Sequence, residues 1–293
     1  MNSKLIILDV DGTLLTSDHR ILRSTRRVLD SAQERGHQIM LASGRFPGAV
    51  LPILEDLDRM DCLYIASSGA LIGRGEEILY EETCPTEPLE KAVAHARELK
   101  LSVDGYTGSR WEVMDWRDEV AHEAAVVGCQ PTLVSKLNLK GAHKVMIIAG
   151  EDDCASYSAW VQHNIPELKC QLFSANMVDL VKLGVSKGTA LAWAANYLDF
   201  PLQDTIALGD GLNDLEILEI AGISVAMGNA VPDVKNRANF VTSSNDQGGV
   251  AWALAQILRL RQSGEHHEAA GEDPTKPDKK SVPDSKSAPK AKL

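Results

Sequence analysis

The residues Leu5-Ile6-Ile7-Leu8-Asp9-Val10-Asp11-Gly12-Thr13 run an apolar stretch into two carboxylates and a glycine. Four apolar residues closed by a glycine turn predict a buried strand ending at Asp9. Folding alone gives no reason for acids at that place. Successive side chains leave a strand in different directions, so Asp9 can point along the strand end while Asp11, beyond it, folds back over it. One carboxylate is then placed to attack and the other to shuttle a proton. By itself, Asp-x-Asp also fits a β-turn with two solvated aspartates.

Outward from this stretch, the first third alternates strand and helix. A helix near 24–35 stops at Gly36, and a strand at 37–42, a helix after Pro47 and a strand at 62–66 follow. That rhythm is βαβαβ, and the nearly continuous apolar strand interiors suit a parallel sheet covered on both faces. The pattern resumes over 187–262, with a helix at 188–198, a strand at 205–208, a helix from Leu212, a strand at 223–227 and a closing helix from Val250. The two blocks predict an α/β core with one doubly wound (Rossmann-like) parallel sheet.

Between the blocks the mixture changes: an amphipathic helix near 89–99 and strands at 101–106, 111–114 and 145–149 predict an inserted α+β domain. The stretch ALIGRGEEILYE at 70–81 reads as a hairpin just before it. The expected organisation is a core of 1–82 and 183–262, a cap of 83–182 and a tail of 263–293. That tail has four prolines, six acids, six lysines and no aromatic residue, a composition that predicts disorder.

Three further segments add chemistry. Ile206-Ala207-Leu208-Gly209-Asp210-Gly211-Leu212-Asn213-Asp214 again carries an apolar strand into acids and an amide. Two acidic strand ends suggest one metal. Magnesium takes hard oxygen ligands, which suits Asp9, the backbone carbonyl of Asp11 and Asp210, with Asp214 in support. In Ile39-Met40-Leu41-Ala42-Ser43-Gly44-Arg45 a hydroxyl follows a buried strand, and Gly44 lets a phosphoryl oxygen approach backbone N–H groups. Gly184-Val185-Ser186-Lys187-Gly188 puts a lysine at a helix start, where the dipole disfavours a cation by up to about 1 kcal/mol unless aspartates or a phosphate compensate. Asp9, Asp11, Asp210 and Asp214 together repel a phosphate dianion, whereas Mg²⁺ plus Lys187 removes three of their charges. At a separation of about 4 Å each such pair is worth about 4 kcal/mol near a protein surface.

These four segments, in this order, resemble the motifs of the haloacid dehalogenase superfamily: DVDGT, Ser43, Lys187 and GDGLND. The large insertion, with VSKGTAL and AMGNA, looks like its Cof-type branch of phosphatases bearing an α/β cap. The resemblance implies that Asp9 is the nucleophile, Asp11 the general acid and then base, and that Ser43 and Lys187 hold phosphate. It also implies that Asp210 binds Mg²⁺, that Asn213 orients phosphate and lysine, and that Asp214 orients the metal's waters. The chain departs from the branch at Ser67-Ser68-Gly69-Ala70, where Asn-Gly-Ala is usual, so a polar contact near the cap differs and substrate choice with it.

Composition bounds the partners. The chain has 293 residues, 44% of them hydrophobic and 24% charged, which fits two ordinary domains or one large one rather than a disordered or fibrous chain. A net charge of -11 disfavours nucleic acid or anionic membrane as a partner. The five cysteines form no Cys-x-x-Cys pair, and the acids at the start of the chain break any signal-like apolar run, so a reducing cytoplasmic setting is expected. A small phosphorylated metabolite, such as a sugar phosphate, is the expected substrate. Arg110, Trp111 and His143 are candidate specificity residues in the cap. Rival readings are a mutase or phosphotransferase sharing the aspartyl-phosphate, a receiver domain, a non-catalytic phosphate binder and a nucleotide-sugar transferase. A receiver needs no hundred-residue insertion, Asp11 argues against a mere binder, and a sugar transferase leaves Lys187 without a task.

Overall fold

All five residues of β1 (Leu5–Asp9) are buried, as a strand covered on both faces requires. The computed structural model describes residues 3–174 and 176–260, so the tail expected to be disordered lies outside the described residues. After β1 come α1 (Arg23–Glu34), β2 (Gln38–Ala42), α2 (Pro47–Asp56), β3 (Leu63–Ala66) and the hairpin β4 (Leu71–Arg74) and β5 (Glu77–Glu81). Helix α1 buries Thr25, Val28, Leu29 and Ala32, one stripe at helical spacing. Helix α2 starts on Pro47, whose missing N–H is not needed in a first turn.

The insertion follows as α3 (Thr86–Glu98), β6 (Ser102–Thr107), β7 (Arg110–Val113), α4 (Asp118–Val127), β8 (Thr132–Leu133), β9 (Lys144–Ile148), α5 (Glu151–Asn164), β10 (Leu168–Ser174) and β11 (Met177–Lys182). The chain then returns to the core with α6 (Lys187–Tyr197), β12 (Thr205–Gly209), α7 (Leu215–Ile220), β13 (Ile223–Ala226), α8 (Pro232–Arg237), β14 (Phe240–Val241) and α9 (Gly249–Ile257).

The core sheet has the order β14-β13-β12-β1-β2-β3-β4-β5, parallel from β14 to β3 and closed by the antiparallel hairpin. The chain moves outward from β1 to one side and, after the insertion, from β12 to the other. The strand order therefore reverses between β1 and β12, and ligands of such sheets bind at the carboxyl ends of strands flanking that point. The fold is the expected doubly wound α/β core with an inserted α+β cap.

The cap sheet runs β10-β11-β9-β6-β7-β8 and is antiparallel except between β7 and β8. One face packs Val103, Val145, Ile147 and Leu180 against Leu89 of α3 and Tyr157 and Val161 of α5. The opposite face packs Tyr106, Trp111 and Met146 against Val120 and Ala124 of α4, and against Phe46 and Ala49 of the core.

Several elements lie outside the expected pattern. Helix α5 buries only Cys154, Tyr157 and Val161, a stripe too narrow to stand out in its polar sequence. The expected helix from Leu212 begins instead with a short tight turn over Leu212–Asp214, and α7 follows it. Among the described residues no helix is long and apolar enough to cross a membrane.

Candidate active site

The carboxyl ends of β1, β2 and β12 lie side by side, with Asp9 opposite Ala42 and Leu8 opposite Leu208. Their following turns therefore share one place. Lys187, the first residue of α6, reaches it fully buried and donates to Asp9 Oδ1 and to Asp214 Oδ1, each at 2.6 Å. Ser186 caps the same helix by accepting from the Thr189 N–H, so the cation the dipole disfavours is held by two carboxylates. Asp214 Oδ2 accepts the N–H groups of Asp210 and Gly211 at 3.0 Å, which wraps the 210–214 turn around its own acid.

Asp210 is fixed from the other side. Thr13 donates to its Oδ1 at 3.0 Å, and the Asn229 amide donates to its Oδ2 at 3.2 Å and to the Gly12 carbonyl at 2.8 Å. Gly12 has φ +76°, and a Cβ there would lie 2.3 Å from Asp210 Oδ2. Only glycine lets the two acidic turns approach this closely.

Asp11 is placed apart from this cluster. Arg45 clamps it through Nε to Oδ2 at 2.9 Å and through a second guanidinium nitrogen to Oδ1 at 2.5 Å. Its side chain is therefore not among the clustered carboxylates, and any share of Asp11 in a metal site falls to its backbone carbonyl. Ser43 is buried after β2, and its hydroxyl accepts the Arg45 N–H at 3.0 Å. Gly44 lies buried between them. Arg45 is the main residue the sequence reading missed; it stood at the end of the quoted Ser43 segment without a role.

The 67–69 turn joins the site to the cap. Ser67 N–H donates to the Arg45 carbonyl and Ser68 N–H to the Ser43 carbonyl, at 2.7 and 3.2 Å. Ser67 and Ser68 take left-handed φ values of +49° and +60°, a conformation that non-glycine residues resist. Gly69 (φ +104°) lies so close to the Ser186 carbonyl that a Cβ would stand 2.2 Å from it. The Ser68 hydroxyl donates to Asp179 of β11 at 2.5 Å, and Lys169 of β10 pairs with Glu216 of α7, so polar contacts tie the cap to the core on both sides of the site.

The remaining candidates stand further off. Asn213 is not a hydrogen-bond partner of Lys187 and lines a cavity of about 540 Å³ between α5, β10 and the core, together with Lys169, Ser186 and Glu216. Arg110 is exposed and pairs with Glu112 at 3.6 Å. His143 is buried; its Nδ1 accepts the Gly108 N–H at 3.0 Å and its Nε2 donates to Glu81 of β5 at 3.1 Å, which makes it a tie between the cap and the hairpin that closes the core sheet. Trp111 packs toward the start of α2, with its ring centroid 6.1 Å from that of Phe46.

Electrostatics separates the acids. Burial, then the neighbouring Asp214, raises the Asp9 carboxyl well above the usual range, against the pull of Lys187. Burial and Asp214 push Asp210 up to about 6. For Lys187 burial works against the charge, but Asp214 and Asp9 outweigh it and raise the ammonium's pKa. One oxygen from each of Asp9, Asp210 and Asp214 lies within 4.8 Å of the others. With all three carboxylates ionised, one ammonium leaves two negative charges, and an all-oxygen donor set of that charge fits a hard divalent cation.

The chain matches the haloacid dehalogenase-like hydrolase family over residues 6–254. Phosphatase YwpJ of Bacillus subtilis is 30% identical over 288 residues, covering 87% of this chain and all of that protein. The 5-amino-6-(5-phospho-D-ribitylamino)uracil phosphatase YitU of the same organism is 28% identical over 267 residues, covering 87% of this chain and 98% of its own length. The solved structure of the subclass IIB sugar phosphatase BT4131 superimposes with a TM-score of 0.78 at 25% identity, covering 88% of this chain and all of that one. A match of this extent, on a core that brings the four motifs to the carboxyl ends of its central strands, makes the chain a member of the haloacid dehalogenase-like hydrolases and, within them, a cap-bearing Cof-type phosphatase.

Proposed function

We propose that this enzyme is a Mg²⁺-dependent phosphatase that hydrolyses small phosphorylated metabolites through an aspartyl-phosphate on Asp9. The observation that carries the reading is the buried Lys187 bridging Asp9 and Asp214 inside an acidic cluster that one ammonium cannot neutralise. Names of relatives support the substrate class, since one is a sugar phosphatase and another acts on a ribityl phosphate. A cytoplasmic setting suits five free thiols.

Asp9, Asp210 and the Asp11 carbonyl hold the metal in this reading, and Asp214 supports them. When bound, Mg²⁺ supplies positive charge to the phosphoryl oxygens and relieves the repulsion among the acids. Lys187 fixes the orientation of Asp9 and meets a further phosphoryl oxygen, while Ser43 and the N–H groups around Gly44 take another. Asn213, at the mouth of the neighbouring cavity, orients the phosphate as it enters. Asp9 attacks phosphorus in line, a P–O bond forms to its carboxylate, and the bond to the leaving alcohol breaks. Asp11 gives its proton to that alcohol oxygen, for which it exchanges one of its two Arg45 contacts. Water then attacks phosphorus, Asp11 takes the water's proton, and the acyl phosphate bond breaks to release phosphate and restore Asp9.

Phosphate release from a panel of phosphorylated metabolites, in Mg²⁺ and in a chelator, tests the reading. Release is expected only with the metal, and Asp9→Asn is expected to remove it while the fold is kept. Transfer to an added sugar hydroxyl in preference to water would make the enzyme a phosphotransferase. Unchanged release by Asp9→Asn would refute the reading.

A further inference from the structure

The cap sheet turns an unusual row of side chains toward the core. Asp104 of β6 stands opposite Met146 of β9, which stands opposite Asp179 of β11. Two residues along, Tyr106 stands opposite both Lys144 and Trp111. Opposed residues share a face, as do residues two apart along a strand. Asp104, Tyr106, Trp111, Lys144 and Asp179 therefore all lie on the face that meets Phe46 and the Ser68 turn. The contacts agree: Phe46 lies 5.5 Å from Tyr106, ring to ring, and Ser68 donates to Asp179.

Within this layer one oxygen is bare. Lys144 donates to both oxygens of Asp179 at 3.0 Å and lies 4.7 Å above the Tyr106 ring. Trp111 Nε1 donates to Asp104 Oδ2 at 3.0 Å. Asp104 Oδ1 has no hydrogen-bond partner, although only 1% of the residue is exposed. The Tyr106 hydroxyl lies close enough to feel both the charge of the Asp104 carboxylate and a hydrogen bond to it, yet Oδ1 itself is left without a partner. A buried polar atom left bare destabilises the fold, and a purely structural network closes on itself.

The surrounding charge narrows what can meet Asp104. Glu123 of α4 is influenced by Lys144 and Arg45 on one hand and by Asp11 and Asp179 on the other, so it sits between the cap pair and the core pair. The cations that act on the layer, Arg45, Lys144 and Arg117, are already matched by Asp11, Asp179 and Asp115. Glu123 and Asp104 remain over, and an additional anion on the substrate would meet them unpaired. Burial pushes the Asp104 carboxyl up to about 7, so near neutrality it offers a lone pair or a proton, and a hydroxyl accepts either.

We propose that Asp104, oriented by Trp111 and backed by the Lys144–Asp179 pair, reads a hydroxyl on the leaving alcohol, so that the enzyme selects uncharged, hydroxyl-bearing alcohols over apolar or anionic ones. This rests on the phosphatase reading and adds a specificity residue to it. The test compares kcat/KM for sorbitol 6-phosphate, n-hexyl phosphate and a hexitol bisphosphate in wild type and Asp104→Asn. Wild type is expected to favour the first over either of the others by about tenfold to a hundredfold, the range of one hydrogen bond to a buried carboxyl. Asp104→Asn is expected to shrink the sorbitol-to-hexyl ratio by about tenfold. A ratio near one in wild type, a preference for the bisphosphate, or an unchanged ratio in the variant would overturn the proposal. The ratio cancels any loss of folded protein; if Asp104→Asn does not fold at all, Trp111→Phe has to lower the same ratio, and failure to do so overturns it equally. Absence of phosphate release by wild type from all three would refute the phosphatase reading itself, whereas release without selectivity refutes only this subsite.

Discussion

Two lysines among the described residues are buried almost completely, Lys187 in the core and Lys144 in the cap, and their surroundings differ in one respect. Lys144 meets both oxygens of a single carboxylate, Asp179, and the pair is neutral. Lys187 shares itself between Asp9 and Asp214 in a group that also holds Asp210. The cap pair is complete without a ligand and serves to orient its neighbours. The core cluster is left with two excess negative charges, which the proposed divalent ion would neutralise.

The largest break in this contrast comes from removing the core lysine. Lys187→Met should abolish turnover and, in chelator, destabilise the fold by about 3–5 kcal/mol, because two buried carboxylates lose their partner; phosphate release and a denaturant melt check the two effects. Asp179→Asn should cost a similar amount by leaving Lys144 unpaired, yet the double variant Lys144→Met with Asp179→Leu should recover most of that stability, since a neutral pair can be replaced by apolar packing. No such double replacement at Lys187 and Asp9 should restore activity. A double-mutant cycle at each site makes the comparison.

A metal titration sharpens it further. Asp210, pushed up to about 6 by burial and Asp214, binds its proton more tightly folded than unfolded, where the value is 3.8. In chelator the protein therefore loses stability from this group as pH rises through that window. A divalent ion should cancel the loss, so the rise in Tm on adding Mg²⁺ should be larger at pH 7.5 than at pH 5; equal rises would remove the ion from this cluster. The smallest expected effect is at Ser68→Ala, about 1 kcal/mol for one lost hydrogen bond to Asp179, with the Lys144 pair intact.

The same contrast explains what the sequence made legible. Asp9 ends one apolar strand, Asp210 directly follows another with Asp214 in the turn after it, and Lys187 opens a helix, places where folding does not want charge, so these residues stand out. Their meeting place followed from the βαβαβ rhythm. Arg45 was harder to see because an arginine after a strand is ordinary, and its importance lies in the clamp on Asp11, a contact across 34 residues. Asp104, Lys144 and Asp179 sit in short strands of the insertion, where period-two alternation allows a charged residue to face solvent as readily as a partner domain. Only the packing of that face against Phe46 and Ser68 shows which it is. Ser68 itself was marked as a departure, but its left-handed turn and its bond to Asp179 are properties of the folded chain.

The central claim is that Asp9 carries the phosphoryl group, and trapping tests it most directly. Enzyme turning over a good substrate in Mg²⁺ is quenched, treated with borohydride and mapped by peptide mass spectrometry. Reduction of an acyl phosphate should convert Asp9, and no other aspartate, to homoserine, in an amount that rises with substrate and vanishes in chelator. Conversion at a different acid, or none at Asp9 while phosphate is still being released, would contradict the account.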